Sequence, residues 1–296
     1  MNISKKIYIF NQYKGVIIFV ICWEVFNLKD CHVHTNISHD GISSIEEYLK
    51  YASTIGVDEI TFTEHYDDYT GLETKLKTLD VLDYYNKYLS HKNDDLLKTN
   101  FGIEIGLQPD LVSKIESMAI QYPFDFIIGS SHITCKKDMA MDKSFFEGYS
   151  RKEAYLRYFK EVLQNIKLYN QFDVYGHLDY VVRYGGYDSK KIEYSEFKEV
   201  LDEILINLIK KDKGIEINTS GIRYGLGSPH PNIDVIKRYK ELGGKIITMG
   251  SDAHKIQDLA KNFDEAFDIL EDVGYEEIAI YHNRTPDFVK IKKLRN

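Results

Sequence analysis

His32 and His34 stand two residues apart in Asp30-Cys31-His32-Val33-His34-Thr35, at the end of an apolar run that reads as a β-strand. Side chains at i and i+2 of a strand point to one face, so two imidazoles on that edge can grip one metal ion. Asp252 and His254 repeat the spacing in Met249-Gly250-Ser251-Asp252-Ala253-His254, at the close of another apolar run near the far end of the chain. An isolated His-x-His is as readily a pair of core or surface histidines. Two strands that both end in paired ligand-type residues point instead to a metalloenzyme.

Such residues need a scaffold that gathers strand ends. Helix and strand patterns alternate along the chain, with no repeat, low-complexity tract or linker. Strands are expected at 28–34, 58–65, 101–106, 124–132, 174–177, 214–218 and 245–250, with a short final one at 279–282. The first helix opens on Ser43 as N-cap, with Glu46 completing a capping box, and stops at Gly56. Further helices follow Pro109 and cover 152–169, 195–212, 233–242 and 258–272. Strand then helix, repeated about seven times, implies an α/β fold: a parallel sheet closed into a TIM-barrel-like (β/α)7 barrel. In such barrels the chemistry lies at the C-terminal ends of the strands. His32, His34, His65, Glu104, His132, His177, Asp252 and His254 fall there, with His39 just beyond the first strand. Cys31 and Val33 face the other way by the pleat and belong to the core. Glu64, beside His65, also faces away and reads as a supporting residue.

Seven histidines, one Glu and one Asp exceed what one zinc takes, about four ligands. They suit two to three divalent ions. Imidazole and carboxylate without thiolate fit Zn, Mn or Fe and argue against a closed structural zinc site. Clustered ions lower the pKa of a bound water, so that hydroxide is available at neutral pH, and they neutralise phosphoryl oxygens. Arg183 and Arg223 lie in loops after strands, and guanidinium forks match phosphate oxygens. Asp179 and His230 are candidates for the proton donor that an alkoxide leaving group requires. His230 reads equally well as a surface residue. Asp67, Asp68, Tyr69 and Tyr224 offer loop groups that could hold the rest of a substrate.

The motifs from Asp30 to His254 resemble the polymerase and histidinol phosphatase (PHP) superfamily, most closely its histidinol-phosphatase branch. The resemblance implies a distorted (β/α)7 barrel with a trinuclear site. The first ion would take His32, His34, Glu104 and Asp252. The second would take Glu104, His132 and His177, and the third His39, His65 and His254. It also implies phosphate held by Arg183 and Arg223, with Asp252 within the catalytic group. The implied activity is hydrolysis of L-histidinol phosphate in histidine biosynthesis. The rival readings are a PHP phosphoesterase acting on nucleotides or other small esters, and a metal-stabilised domain without catalysis.

Composition narrows the classes. The chain has 296 residues, 43% hydrophobic and 28% charged, with a net charge of −8. Acidic balance without a basic stripe argues against a nucleic-acid binder. Three cysteines, Cys22, Cys31 and Cys135, give no disulfide framework and fit a cytoplasmic protein; the small phosphate monoester substrate is what the resemblance implies. The apolar stretch 16–23 is shorter than the ~20 residues of a membrane span, and Glu24 with no small-residue cleavage site argues against a signal peptide. Residues 1–27 are therefore expected to be an extension outside the barrel, with Leu28 as a candidate alternative start. Residues 28–296 are expected to form one barrel domain.

Overall fold

The computed structural model describes residues 3–13, 16–25, 27–92 and 97–295. Strands β1 (Ile3–Tyr13) and β2 (Val16–Val25) make an antiparallel hairpin of their own. Next come β3 (Leu28–Val33), α1 (Ile45–Ile55), β4 (Val57–Tyr66), α2 (Val81–His91), β5 (Lys98–Gly106), α3 (Val112–Gln121) and β6 (Phe126–Ser130). A two-residue pair, β7 (Ile133–Thr134) and β8 (Lys137–Asp138), precedes α4 (Arg151–Leu168), β9 (Val174–Tyr175) and α5 (Tyr194–Lys210). The chain continues through β10 (Gly214–Asn218), α6 (Ser220–Arg223), α7 (Ile233–Glu241), β11 (Ile247–Gly250) and α8 (Phe263–Val273). It closes with β12 (Glu277–His282), β13 (Thr285–Lys290) and α9 (Ile291–Leu294).

Seven strands pair in parallel in the order β11-β10-β9-β6-β5-β4-β3. The two edges meet at one end only. Val33 and Ala253 form a single parallel bridge. There His34 N donates to Ala253 O and Asp252 N donates to His32 O, each at 2.9 Å. The segments that carry the paired ligand-type residues are thus the seam of the barrel. This is the distorted seven-stranded barrel expected from the sequence. Ile60, Phe62, Ile103, Ile128, Ile215, Ile217 and Met249 are fully buried within it or under its helices.

Local chemistry explains most boundaries. Helix α1 has its capping box one residue later than expected, on Ser44 and Glu47, and ends at Gly56 with φ 81°. Tandem serines and glutamates make both registers legible in sequence. Ser43 is used otherwise: its Oγ accepts from Ile256 N at 3.2 Å. Helix α2 was not expected from periodicity, because its inner face is tyrosine. Tyr84 Oη donates to Phe62 O at 2.9 Å and to Gly102 O at 3.0 Å, tying the helix to β4 and β5. The terminal β12–β13 hairpin is longer than the strand expected at 279–282 and lies against the N-terminal ends of the barrel strands. Its Arg284 Nε meets Asp173 Oδ2 at 2.6 Å, just before β9. No helix among the described residues is long and apolar enough to cross a membrane.

Candidate metal centre

The C-terminal mouth collects the ligand-type residues from nearly every strand. His65 on β4 and Glu104 on β5 are register partners, which puts His65 Nδ1 2.9 Å from Glu104 Oε2. His177 Nε2 lies 2.8 Å and His132 Nε2 3.3 Å from the other oxygen, Glu104 Oε1. Glu104 therefore stands between two groups of imidazoles. At the seam, His32 Nε2 and His34 Nε2 are 2.9 Å apart. Asp252 Oδ1 is 3.5 Å from the His34 nitrogen and 3.8 Å from that of His32. Asp252 adopts φ 55°, a left-handed backbone that Asp tolerates, and this turn belongs to the segment that closes the seam.

Three groups of ligand atoms fall within 4.8 Å of one another: His32, His34 and Asp252; His65, Glu104 and His132; His34, His65 and His254. His34 and His65 are shared between groups. His39, expected with His65 and His254, is in none of the three groups. Its Nε2 is 3.9 Å from Asp40 Oδ2. That same oxygen is only 3.2 Å from His254 Nε2 and 3.6 Å from His65 Nε2. Asp40, which like His39 lies outside the three groups, brings this oxygen toward both imidazoles. Nothing in the sequence ranked it above other surface acids.

The donor set fits divalent ions. The imidazoles are oriented from behind by acceptors, as metal-binding histidines commonly are. His32 Nδ1 meets Glu216 Oε1 at 2.6 Å, and His132 Nδ1 meets Asp67 Oδ1 at 3.0 Å. A carboxylate accepts only, so each Nδ1 carries a proton, which leaves Nε2 as the atom that a cation can take when it displaces the proton there. His65 Nδ1 and Glu104 Oε2, though 2.9 Å apart, are buried without a well-aligned hydrogen bond, as is His177 Nδ1, a cost that a cation would remove. Electrostatics agree. Burial alone would depress His32, but Glu216, Glu104 and Asp252 outweigh it and raise its pKa well above the usual value. Burial likewise opposes ionisation of Glu104, yet His132, His32, His65 and His177 hold it well below the carboxylate range. His34 is lowered well below its usual value by burial and by its neighbours His65 and His254. A pocket that stabilises negative carboxylates while keeping His34 neutral is one that favours a metal cation.

Glu216 was missed because it is one acid in a short strand. The signal was present: in Gly-Ile-Glu-Ile-Asn, an acid inside an apolar run must face a barrel interior. Gly250 makes room for it. A Cβ there would lie 2.3 Å from His32 Cβ and 2.6 Å from Glu216 Oε1. Glu64 supports the first loop as expected, accepting from Thr35 Oγ1 at 2.6 Å and from Ser38 N at 3.0 Å.

The two arginines have different surroundings. Arg183 Nη2 lies 3.3 Å from Asp252 Oδ2, and its guanidinium lies over the rings of Tyr180 at 4.9 Å and Tyr224 at 4.6 Å. Arg223 is engaged by the main chain: Nη1 donates to Ser251 O at 3.0 Å and Nη2 to Asp252 O at 2.9 Å. Its Nε faces Asp258 at 3.5 Å. Arg223 therefore clamps the seam rather than offering an open fork.

His230 is fully buried, which overturns the surface reading. Arg183 Nε donates to His230 Nε2 at 3.0 Å, so the imidazole proton is on Nδ1, where Asp179 Oδ1 accepts it. Asp179 Oδ2 is held by Asn232 N at 2.9 Å. Asp179 and His230 hold Arg183 and present no proton to the mouth. Among the loop candidates, Asp67 is taken by His132 and Asp68 by Lys114. Tyr69 packs edge-on against His39 at 6.1 Å. Tyr224 remains 59% exposed at the rim beside Arg183.

Residues 30–220 match the PHP domain family. The chain is 33% identical over 256 residues to the histidinol-phosphatase of Lactococcus lactis, covering 85% of this chain and 93% of that protein. It is 29% identical over 250 residues to a Clostridium acetobutylicum protein named as a probable histidinol-phosphatase, covering 84% of this chain and 95% of that one. The crystal structure of the Lactococcus lactis histidinol phosphate phosphatase, complexed with zinc, L-histidinol and phosphate, superposes with a TM-score of 0.79 at 29% identity. It covers 88% of this chain and 99% of its own. A seven-stranded barrel with this mouth, matched over most of its length, places the chain in the PHP domain family, in its histidinol-phosphatase branch.

Proposed function

We propose that this protein is a metal-dependent phosphatase that hydrolyses L-histidinol phosphate to L-histidinol and inorganic phosphate. The observation that carries the reading is the convergence of Glu104, Asp252 and the imidazoles on one mouth with the Arg183 guanidinium at its edge. Likeness to the Lactococcus lactis enzyme, whose structure holds histidinol and phosphate, supports the choice of ester.

The residues divide the work. His32, His34, His65, His132, His177, His254, Glu104 and Asp252 would hold two to three divalent ions of the Zn, Mn or Fe type. Such ions, when bound, activate water and neutralise phosphoryl oxygens. Arg183 supplies donors to a phosphate oxygen, and the added charge of the transition state strengthens that contact. His230 and Asp179 fix the guanidinium so that it is not reorganised during reaction. Tyr180 and Tyr224 pack against it and limit water there. Selection among esters must come from groups that touch the rest of the substrate, and Tyr224 is the rim residue placed to do so. The test is a phosphate-release assay on purified protein with added Mn or Zn. Histidinol phosphate should show a kcat/KM at least ~100-fold above a generic aryl phosphate, about 2.7 kcal/mol in transition-state binding. A nucleoside monophosphate that outperforms it would reassign the substrate and leave the phosphoesterase reading standing.

A further inference from the structure

We infer that Lys98 and His282 are alternative donors to one oxygen of Glu59, so that the β12–β13 hairpin stays clasped to the barrel floor in either protonation state of His282. The clasp lies at the end opposite the mouth and is independent of the catalytic reading. His282 Nε2 is 2.6 Å and Lys98 Nζ 3.2 Å from the same atom, Glu59 Oε1. Lys98 Nζ also meets His282 Nε2. Across the hairpin, His282 Nδ1 is 2.8 Å from Asp287 Oδ2.

These contacts cannot all be hydrogen bonds at once. Carboxylates accept only, so an imidazole that serves both Glu59 and Asp287 carries a proton on each nitrogen. Its Nε2 then has no lone pair for Lys98. Once that proton passes to solvent, Nε2 becomes an acceptor and can no longer donate to Glu59. Lys98 then donates to Nε2 and to Glu59 Oε1, while Nδ1 keeps its proton on Asp287. Either state leaves the buried Glu59 with a charged donor on Oε1. The charged groups of the neighbouring elements keep partners of their own. Lys29 on β3 holds Glu59 Oε2 at 3.0 Å and Asp58 at 3.2 Å. Asp125, just before β6, accepts from Asn283 N at 3.0 Å in the hairpin turn. Arg284 holds Asp173 at 2.6 Å with a charge that does not titrate. The hairpin thus has one permanent clasp and one whose donor changes with pH. Histidine exchanges its proton near neutrality, so a clasp resting on His282 alone would weaken there.

The test is thermal melting of the full chain from about pH 5.5 to about 8.5. Each variant is read as its difference from wild type at the same pH, which cancels the histidines of the mouth. The Lys98 side chain is 54% exposed, so Lys98→Met removes the alternative donor without opening the core. With Lys98 gone, the imidazolium has folded-state partners that the neutral ring lacks. Its contribution is then present at low pH and lost as pH rises. The melting temperature of Lys98→Met should therefore fall further below wild type with rising pH, by about 2–4 °C across the range. His282→Gln, which keeps an amide donor, and the double variant Lys98→Met/His282→Gln should each show a gap that does not change with pH. A constant gap in Lys98→Met overturns the inference. So does a gap that widens equally in the double variant, since His282 would then not be the titrating group.

Discussion

The two ends of the barrel hold similar residue types in opposite states. At the N-terminal end, Glu59 is matched donor for donor. Asn100 Nδ2 reaches it at 2.7 Å, His282 Nε2 at 2.6 Å and Lys29 Nζ at 3.0 Å. Lys29 also meets Asp58 at 3.2 Å. At the C-terminal end, carboxylates and imidazoles are packed together with Arg183 as the cation that pairs with Asp252, and three of their buried polar atoms lack a well-aligned hydrogen bond. The first arrangement is complete and stabilises the fold. The second is incomplete as a set of protein groups, and what it lacks is positive charge. Buried polar clusters are stable when satisfied and poised for a ligand when they are not.

Substitutions should separate the ends. The largest effect is expected from Glu104→Gln, which removes charge from the centre of the mouth. Turnover should fall at least about a thousandfold, ~4 kcal/mol in the barrier, with fewer ions per chain. Thermal stability of the metal-free protein should change little. A variant with near wild-type turnover would show that Glu104 is not at the reacting centre. Arg183→Ala comes next, with a loss of roughly 2–4 kcal/mol in kcat/KM on every phosphate monoester. Arg223→Ala should instead lower stability by about 1–3 kcal/mol, because buried carbonyls at Ser251 and Asp252 lose their donors. Measuring both kcat/KM and melting temperature for the two arginines decides whether their roles differ as their contacts do.

The floor gives a pH test. Burial alone would raise Glu59, but the charge of Lys29 and hydrogen bonds from Asn100, His282 and Lys29 outweigh it and hold it at about 2, against 4.5 for the free side chain. A depressed carboxylate stabilises the fold fully above its unfolded-state value, and that contribution is lost as pH falls from 4.5 toward 2. Glu59→Gln should therefore cost roughly 2–4 kcal/mol near neutral pH and flatten the acid limb of stability in that window. Urea titrations at several pH values check both. An unchanged acid limb would move the floor's role from electrostatics to packing.

What sequence reveals about the two ends differs for the same reason. The mouth was legible because histidines are scarce and their period-two placement at strand ends is informative. His32 with His34, and Asp252 with His254, announce both the seam and the centre. Glu216 escaped because acids are common and its partner lies far off in sequence. Glu216 reaches His32 across the barrel. The floor was invisible, since Glu59 and His282 meet only when the last hairpin folds back. Helix α2 escaped because tyrosines serve as its core face, a role that an apolar pattern does not register.

The smallest effect should come from deleting residues 1–27. The barrel's seven strands pair among themselves, and β1 pairs with β2. Leu28, at the start of β3, donates to Gly56 O at 3.2 Å, so the first barrel strand is anchored from within. The edge of β3 is already covered at its functional end by Ala253. Among the described residues, Asn27 Nδ2 donates across the boundary to Lys293 O at 3.2 Å, in an exposed contact. An exposed hydrogen bond of this kind contributes about 1 kcal/mol at most. A chain beginning at Leu28 should therefore keep kcat/KM on histidinol phosphate within about twofold, which is under ~0.5 kcal/mol. Its melting temperature should change by only a few degrees, and its ions per chain should be the same. Loss of folding on truncation would show that the hairpin is part of the barrel's support, and residues 1–27 would then belong to the domain they precede.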